Sequence, residues 1–250
     1  MENNNVDAIR RSDLWKISKS PMHFRYWMDH EKERTKALIF GAAAHKYILQ
    51  PREFNDEYAV APMINRKTKE GRERYASFID DAEGRDVITQ DDFATIKDMR
   101  DVLMMDPVIE ELLSGEYEKP FTWTDDLTGE LCTCRVDCLS EYCDEKYIVD
   151  YKTTESCADG VFERSVRKYG YKFQAGMYHE GVFQTLFEDR KFAFIAQEKE
   201  PPYAARIYFC TDEFVRQGYD QFRELIGIYH KCKESGNWPG YGIGELLEDS

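Results

Sequence analysis

Asp137, Asp150 and Lys152 have the types and spacing that could hold a hard divalent cation beside an ammonium group. Magnesium takes oxygen ligands in a near-octahedral shell. Two aspartates and one backbone carbonyl, here that of Tyr151, supply such oxygens. A lysine beside them could orient an attacking water and offset charge developing on a phosphoryl group. The spacing alone leaves two readings open, because a simple Asp150–Lys152 salt bridge would also explain an acid inside an apolar strand.

These side chains need particular elements beneath them. Side chains alternate across a strand. In LCTCRVDCLS, Asp137 then shares a face with Thr133 and Arg135, while Cys132, Cys134, Val136 and Cys138 face a core. In YIVDYK, Asp150 and Lys152 share a face with Cα atoms roughly 6.6 Å apart, and Tyr147, Val149 and Tyr151 take the other. Neighbouring strands would set both acids and the lysine over one patch of sheet. A helix over 36–49 (KALIFGAAAHKYIL), ended by Pro51, carries Gly41 and His45 four residues apart. Small residues would let it approach the sheet, so His45 is either a packed core histidine or a nitrogen ligand. Gln174 and Tyr178 are likewise four apart on a helix over 171–187 and share a face. They could meet a phosphate or hold Lys152; a half-buried tyrosine beside a surface glutamine is the plainer alternative.

The remaining pattern gives helices near 12–27, 90–104, 107–113, 159–168 and 211–233, and strands at 117–124, 130–140, 146–152, 191–197 and 203–210. Residues 1–11 read as a loose arm, 12–242 as one domain and 243–250 as a tail; 52–90 reads as polar and irregular. The order implies a mixed α/β fold with helices around a central sheet.

The chain has 250 residues, with 48 acids against 34 bases, a net charge of -14. That argues against a nonspecific coat for a polyanion. No apolar run approaches the ~20 residues that span a bilayer. No secretory leader is evident, so a cytoplasmic location is expected. Four of the seven cysteines are crowded, at 132, 134, 138 and 143. Alternating strand positions favour small buried side chains over a metal centre. No P-loop pattern appears, so no use of ATP is expected.

Four segments in this order, GAAAHKYILQP, CRVDCLSE, IVDYKTT and YGYKFQAGMYHEG, resemble the RecB-type branch of the PD-(D/E)XK nucleases. Within it they are most similar to the RecE-like phage and prophage exodeoxyribonucleases (the exodeoxyribonuclease VIII catalytic domain). SKSPMHFRYW resembles that family's first helix, and the likeness spans about residues 12–242. The resemblance implies a restriction-endonuclease-like core. It implies His45, Asp137 and Asp150 as metal ligands with the Tyr151 carbonyl, Lys152 as the catalytic lysine, and Gln174 and Tyr178 as the Q-x-x-x-Y pair. It implies Mg²⁺ or Mn²⁺ as cofactor, and linear double-stranded DNA digested from its ends, 5′ to 3′, leaving 3′ single-stranded tails for annealing recombination. It further implies a trimeric or tetrameric ring, a single-strand annealing protein as partner, and a phage or prophage origin in a bacterial host. The long N-terminal region of the larger members is not in this sequence.

Related nucleases with an iron–sulfur cluster place their cysteines outside the nuclease motifs, so no such cluster is expected. Candidate DNA contacts are Arg66, Lys67, Lys69 and Arg72 in the basic stretch, and Arg164, Arg167, Lys168 and Lys172 ahead of Gln174; each is also readable as solvated surface charge. An endonuclease or single-strand nuclease of the same superfamily is the alternative enzyme. A non-catalytic DNA-binding protein is the alternative outside enzymes.

Overall fold

A computed structural model describes residues 8–30 and 34–242. The chain enters through a two-residue strand, β1 (Ile9–Arg10), which runs straight into α1 (Arg11–Ile17). Residues 8–11 do not belong to a loose arm, contrary to expectation: Ala8 and Ile9 are buried, and β1 pairs in parallel with residues 132–133. Two paired residues leave no period to read, so this strand exists only because an edge is available to receive it. Residues 1–7 and the tail from 243 lie outside the described residues.

Next come α2 (Pro21–Asp29) and α3 (Lys36–Leu49). The Ser20 hydroxyl caps the first, with Pro21 at its opening position, and Thr35 caps the second through Leu38 N–H. Residues 52–90 are ordered, contrary to the irregular reading. They form α4 (Phe54–Glu57), β2 (Tyr58–Val60), α5 (Lys69–Asp81) and β3 (Asp86–Ile88), and β2 and β3 pair in parallel. Helix α5 escapes a hydrophobic-period reading because only Gly71 is buried along it; its start is marked instead by the Thr68 cap on Gly71 N–H. Phe54, Tyr58, Ile88 and Ile96 pack with Ala43 and Ala44 of α3 in a small satellite core. Then follow α6 (Gln90–Leu103), opened by a Thr89–Asp92 capping box, and α7 (Pro107–Leu112), capped by Asp106.

The central sheet follows: β4 (Glu116–Thr124), β5 (Leu131–Tyr142) and β6 (Glu145–Thr154). Helices α8 (Val161–Tyr169) and α9 (Tyr171–Leu186), strands β7 (Lys191–Glu198) and β8 (Ala205–Phe209), and α10 (Asp212–Ser235) complete the chain. The strand order is β1-β5-β6-β7-β8, with β4 on β5. Strands β6 and β7 are parallel, and β4, β5 and β6 form an antiparallel meander. One face carries α1, α2, α9 and α10 over Phe121, Trp123, Phe192 and Phe194, with Phe222 of α10 packed into the same core. The other carries the end of α3 and the α6–α7 region over Tyr147, Val149, Tyr151, Ala193 and Ile195. The mixed α/β architecture with a central sheet flanked by helices is as the pattern implied. No helix among the described residues is long and apolar enough to cross a membrane.

Two departures from regular geometry shape the middle of the sheet. Cys132, Cys134 and Val136 face one core, but Cys138 faces the other, contrary to the simple alternation of the sequence. Strand β4 changes faces at the same level: Phe121 and Trp123 pack on one side and Tyr117 on the other. The crossover falls at Glu118, whose φ is 52°, opposite Asp137. A period of two cannot register such a switch. The second departure is a fork. Strands β5 and β6 pair from Tyr142↔Glu145 to Cys138↔Val149 and then separate. Strand β1 takes the edge of β5 that β6 leaves.

Candidate active site

The acids lie where the fork opens. Asp137 stands on the β5 arm of the fork and Asp150 on the β6 arm, each with its own partners. Asp137 is the first residue of β5 beyond the ladder, and its carboxylate accepts the Tyr151 N–H at 2.9 Å. An extended residue directs its N–H and C=O to the same edge. The Tyr151 carbonyl therefore faces the fork as well, on the side of Asp137.

Asp150 is buried at 1% exposure. Its Oδ1 accepts from the Gln174 amide on α9, and Oδ2 is ion-paired with Lys152 Nζ, with no donor aligned to it for a hydrogen bond. The Gln174 amide thus holds Asp150; the Lys152 ammonium lies over the Tyr171 ring at 5.1 Å. Tyr178, one turn beyond Gln174, is half-buried in the core beneath, in electrostatic reach of Asp150 and Asp137. Burial, then the Asp150 charge, keeps its hydroxyl protonated well above the ordinary tyrosine range.

His45 enters from α3. Its Nε2 lies 2.8 Å from Asp137 Oδ2 and its Nδ1 3.2 Å from Glu118 Oε1. Gly41 is not what permits the approach: a β-carbon there would meet Thr153 Oγ1 at 3.9 Å, an ordinary contact. Glu118 was not among the residues singled out from sequence. It stands in a strand with no spacing motif around it, and its turn toward His45 follows from the positive φ. Arg135 Nε, 2.6 Å from Glu118 Oε2, holds the carboxylate from the far side. His45, Glu118 and Asp137 each offer a ligand atom, all within 4.8 Å of one another.

Charge is concentrated here. Burial alone would lower the His45 pKa, but Asp137 and Glu118 together raise it to about 10. Asp150 is raised to about 6, first by burial and also by Asp137, with Lys152 opposing. Asp137 moves the other way: burial would raise it, but His45, Lys152 and the Tyr151 N–H hold it below its ordinary value. Burial would also lower Lys152, but Asp150 and Asp137 raise it, so it is a firm ammonium. The donor set fits a divalent cation: two aspartates, a glutamate and a carbonyl at the fork, an imidazole aimed at the same carboxylate, and a buried Oδ2 without an aligned donor.

The crowded cysteines do not share a face. Cys132 and Cys134 are in one core, Cys138 is in the other, and Cys143 is exposed. Burial pushes the Cys138 thiol up to about 12 and the other two higher.

The basic candidates are scattered. Lys69 and Arg72 are exposed on α5, preceded by Lys67 and by Arg66, whose guanidinium stacks 4.6 Å from the Tyr75 ring. Arg164, Arg167 and Lys168 are exposed on α8. Lys172 faces away from Gln174: its Nζ donates to Gln217 of α10 at 2.6 Å.

In sequence, no curated protein matches this chain. Among solved structures, a Eubacterium rectale protein designated a candidate exonuclease superposes with a TM-score of 0.63, at 16% identity, over 98% of this chain and 96% of that one. At that identity the likeness speaks for the fold. The structure designated SSO0001 aligns at a TM-score of only 0.30 and 14% identity, covering 84% of each chain. A family model described as a PDDEXK-like domain of unknown function matches residues 11–248. The match takes in all the elements that build the fork, its two aspartates and its lysine: the chain belongs to this family of PDDEXK-like domains (DUF3799).

Proposed function

We propose that this protein is a metal-dependent DNA nuclease that hydrolyses phosphodiester bonds at the β5–β6 fork. The observation that carries the reading is what stands at the fork of a PDDEXK-like fold: Asp137 with His45 and Glu118 on one arm, and Asp150 paired with Lys152 on the other, joined through the Tyr151 N–H to Asp137. Asp137, Asp150, the Tyr151 carbonyl and His45 would hold Mg²⁺ or Mn²⁺, with Glu118 at their margin. Such an ion supplies Lewis-acid polarisation of a phosphoryl oxygen. Lys152, kept cationic by the two acids, orients the attacking water and stabilises charge on the phosphate as it develops. Gln174 fixes the Asp150 carboxylate, and Tyr178 fills the apolar floor below it.

The substrate we propose is linear double-stranded DNA, digested from its ends without ATP, 5′ to 3′, leaving 3′ single-stranded tails for an annealing partner. The ordered sequence motifs support this reading. A closed trimer or tetramer would retain DNA by enclosure, which suits a chain at net charge -14 that has little diffuse attraction for a polyanion.

The test is cleavage of strand-labelled linear duplex and of closed circular duplex, with Mg²⁺, Mn²⁺ or chelator and no ATP. Loss of linear substrate alone, from the 5′-labelled ends, is expected. Cutting of the closed circle would indicate an endonuclease, and no cutting of any DNA would refute the proposal. Mass in solution decides the assembly.

A further inference from the structure

One cation at this site has no assigned role. Arg11 is the first residue of α1, directly after the strand that fills the open edge of β5. Helix α1 is seated firmly. The Trp15 ring lies flat against Gly170, where a β-carbon would come within 2.6 Å of it, and stacks on Phe173 at 5.6 Å. One Arg11 terminal nitrogen, Nη2, donates to the Tyr169 carbonyl. Its Nε is buried without a hydrogen-bond partner. Among the described residues it forms no ion pair with any carboxylate, although its guanidinium is in electrostatic contact with Tyr178, Asp150 and Tyr171.

That arrangement is costly unless something completes it. A guanidinium stays charged at any working pH; this one is half-buried with its Nε fully covered, and a charge drawn partly out of water favours a counter-charge. The nearby acids already have cationic partners: Asp150 has Lys152, Asp137 has His45, and Glu118 has His45 and Arg135. Arg11 therefore stands as a further positive charge near Asp150, which Lys152 already pairs. Its planar fork of donors matches the oxygens of a phosphate.

Resting on the nuclease reading above, we infer that Arg11 binds a phosphate of the DNA backbone at the active site, through the terminal nitrogen that does not meet the Tyr169 carbonyl. The phosphate is either a diester next to the bond being cut or the terminal monoester of a 5′ end. The chemistry of recognition is the same for both. Arg11 then positions the strand across the fork while Tyr169 anchors the guanidinium from behind.

The test compares wild type with Arg11→Gln and Arg11→Lys on linear duplexes bearing a 5′-phosphate or a 5′-hydroxyl. Binding is read by fluorescence anisotropy in Ca²⁺ across a salt series, and cleavage by KM and kcat in Mg²⁺. The Gln variant should bind at least ~10-fold more weakly with the salt slope reduced by about one, and the Lys variant should recover part of the loss. A penalty confined to the 5′-phosphorylated duplex assigns the monoester, and an equal penalty on both duplexes assigns the diester. Wild-type affinity and salt slope in Arg11→Gln would overturn the inference, leaving Arg11 as an anchor for Tyr169, while cleavage by wild type would keep the nuclease reading intact. If Arg11→Gln does not fold, Arg11→Lys carries the test alone: it keeps the charge and loses the fork of donors, so unchanged affinity there also overturns the inference. Failure of wild type to cut DNA would instead remove the reading on which it rests.

Discussion

Asp137 Oδ2 accepts the Tyr151 N–H at 2.9 Å, fastening β5 to β6 one step past the end of their ladder. The same carboxylate therefore closes the fork and faces the place where a cation would sit. Asp137→Ala should leave a buried N–H unpaired, at a cost of about 1–3 kcal/mol, whereas Asp137→Asn keeps an acceptor for it. Both should lose Mg²⁺-dependent cleavage. Thermal denaturation of the two variants separates the effects, and cleavage at the wild-type rate in either would remove Asp137 from the site.

Lys152→Ala should retain metal and DNA affinity but lose at least ~10²-fold in kcat, because the ammonium acts on charge that appears only in the transition state. Single-turnover kinetics, with binding measured separately in Ca²⁺, provide the check. Poor binding with a normal chemical step would make Lys152 a substrate-binding residue instead.

Glu118 faces the His45 nitrogen that points away from Asp137, in the geometry by which a carboxylate orients a ligating imidazole. Glu118→Gln should weaken Mn²⁺ binding by ~10- to 100-fold. Titration of the metal followed by electron paramagnetic resonance measures this without turnover. Unchanged affinity would show that His45 needs no partner there.

The His45 pKa, raised from 6.5 to about 10, sets a pH dependence. Its contribution to folding is fully present below 6.5 and is lost as pH rises through about 10. In chelator, denaturant titrations from pH 6 to 10 should show wild-type stability falling more steeply than that of His45→Gln. Metal affinity should rise over the same range, since a cation must displace the imidazolium proton. Parallel stability profiles for the two proteins would contradict the assignment.

Helices α9 and α10 meet backbone to backbone at Gly176 and Gly218. A β-carbon on Gly176 would fall on the Tyr219 nitrogen, and one on Gly218 on the Lys172 carbonyl, both well inside contact distance. Gly176→Ala should cost about 3 kcal/mol, the upper part of the usual range for overpacking. It should also lower activity, because Gln174 rides on the same helix. Thermal denaturation and cleavage together test this, and a wild-type melting temperature would show that the helices can part.

Long elements with a clean period are readable from the chain alone. The helix of residues 36–49, the three-strand meander and the two strands after it carry their own hydrophobic spacing and caps, so local physics suffices for them. The types and faces of Asp150 and Lys152 follow from the same period of two. What the chain could not disclose depends on its neighbours. Strand β1 needs the edge vacated by β6, and α5 is a charged helix with little buried face. The exchange of faces at Glu118 and Asp137 breaks the alternation that a strand reading assumes. Glu118 and Arg11 reach the site through those same features. Only the tertiary structure decides where a ladder ends, because separating strands release backbone groups that distant side chains must satisfy, and no local pattern of residues encodes that distance.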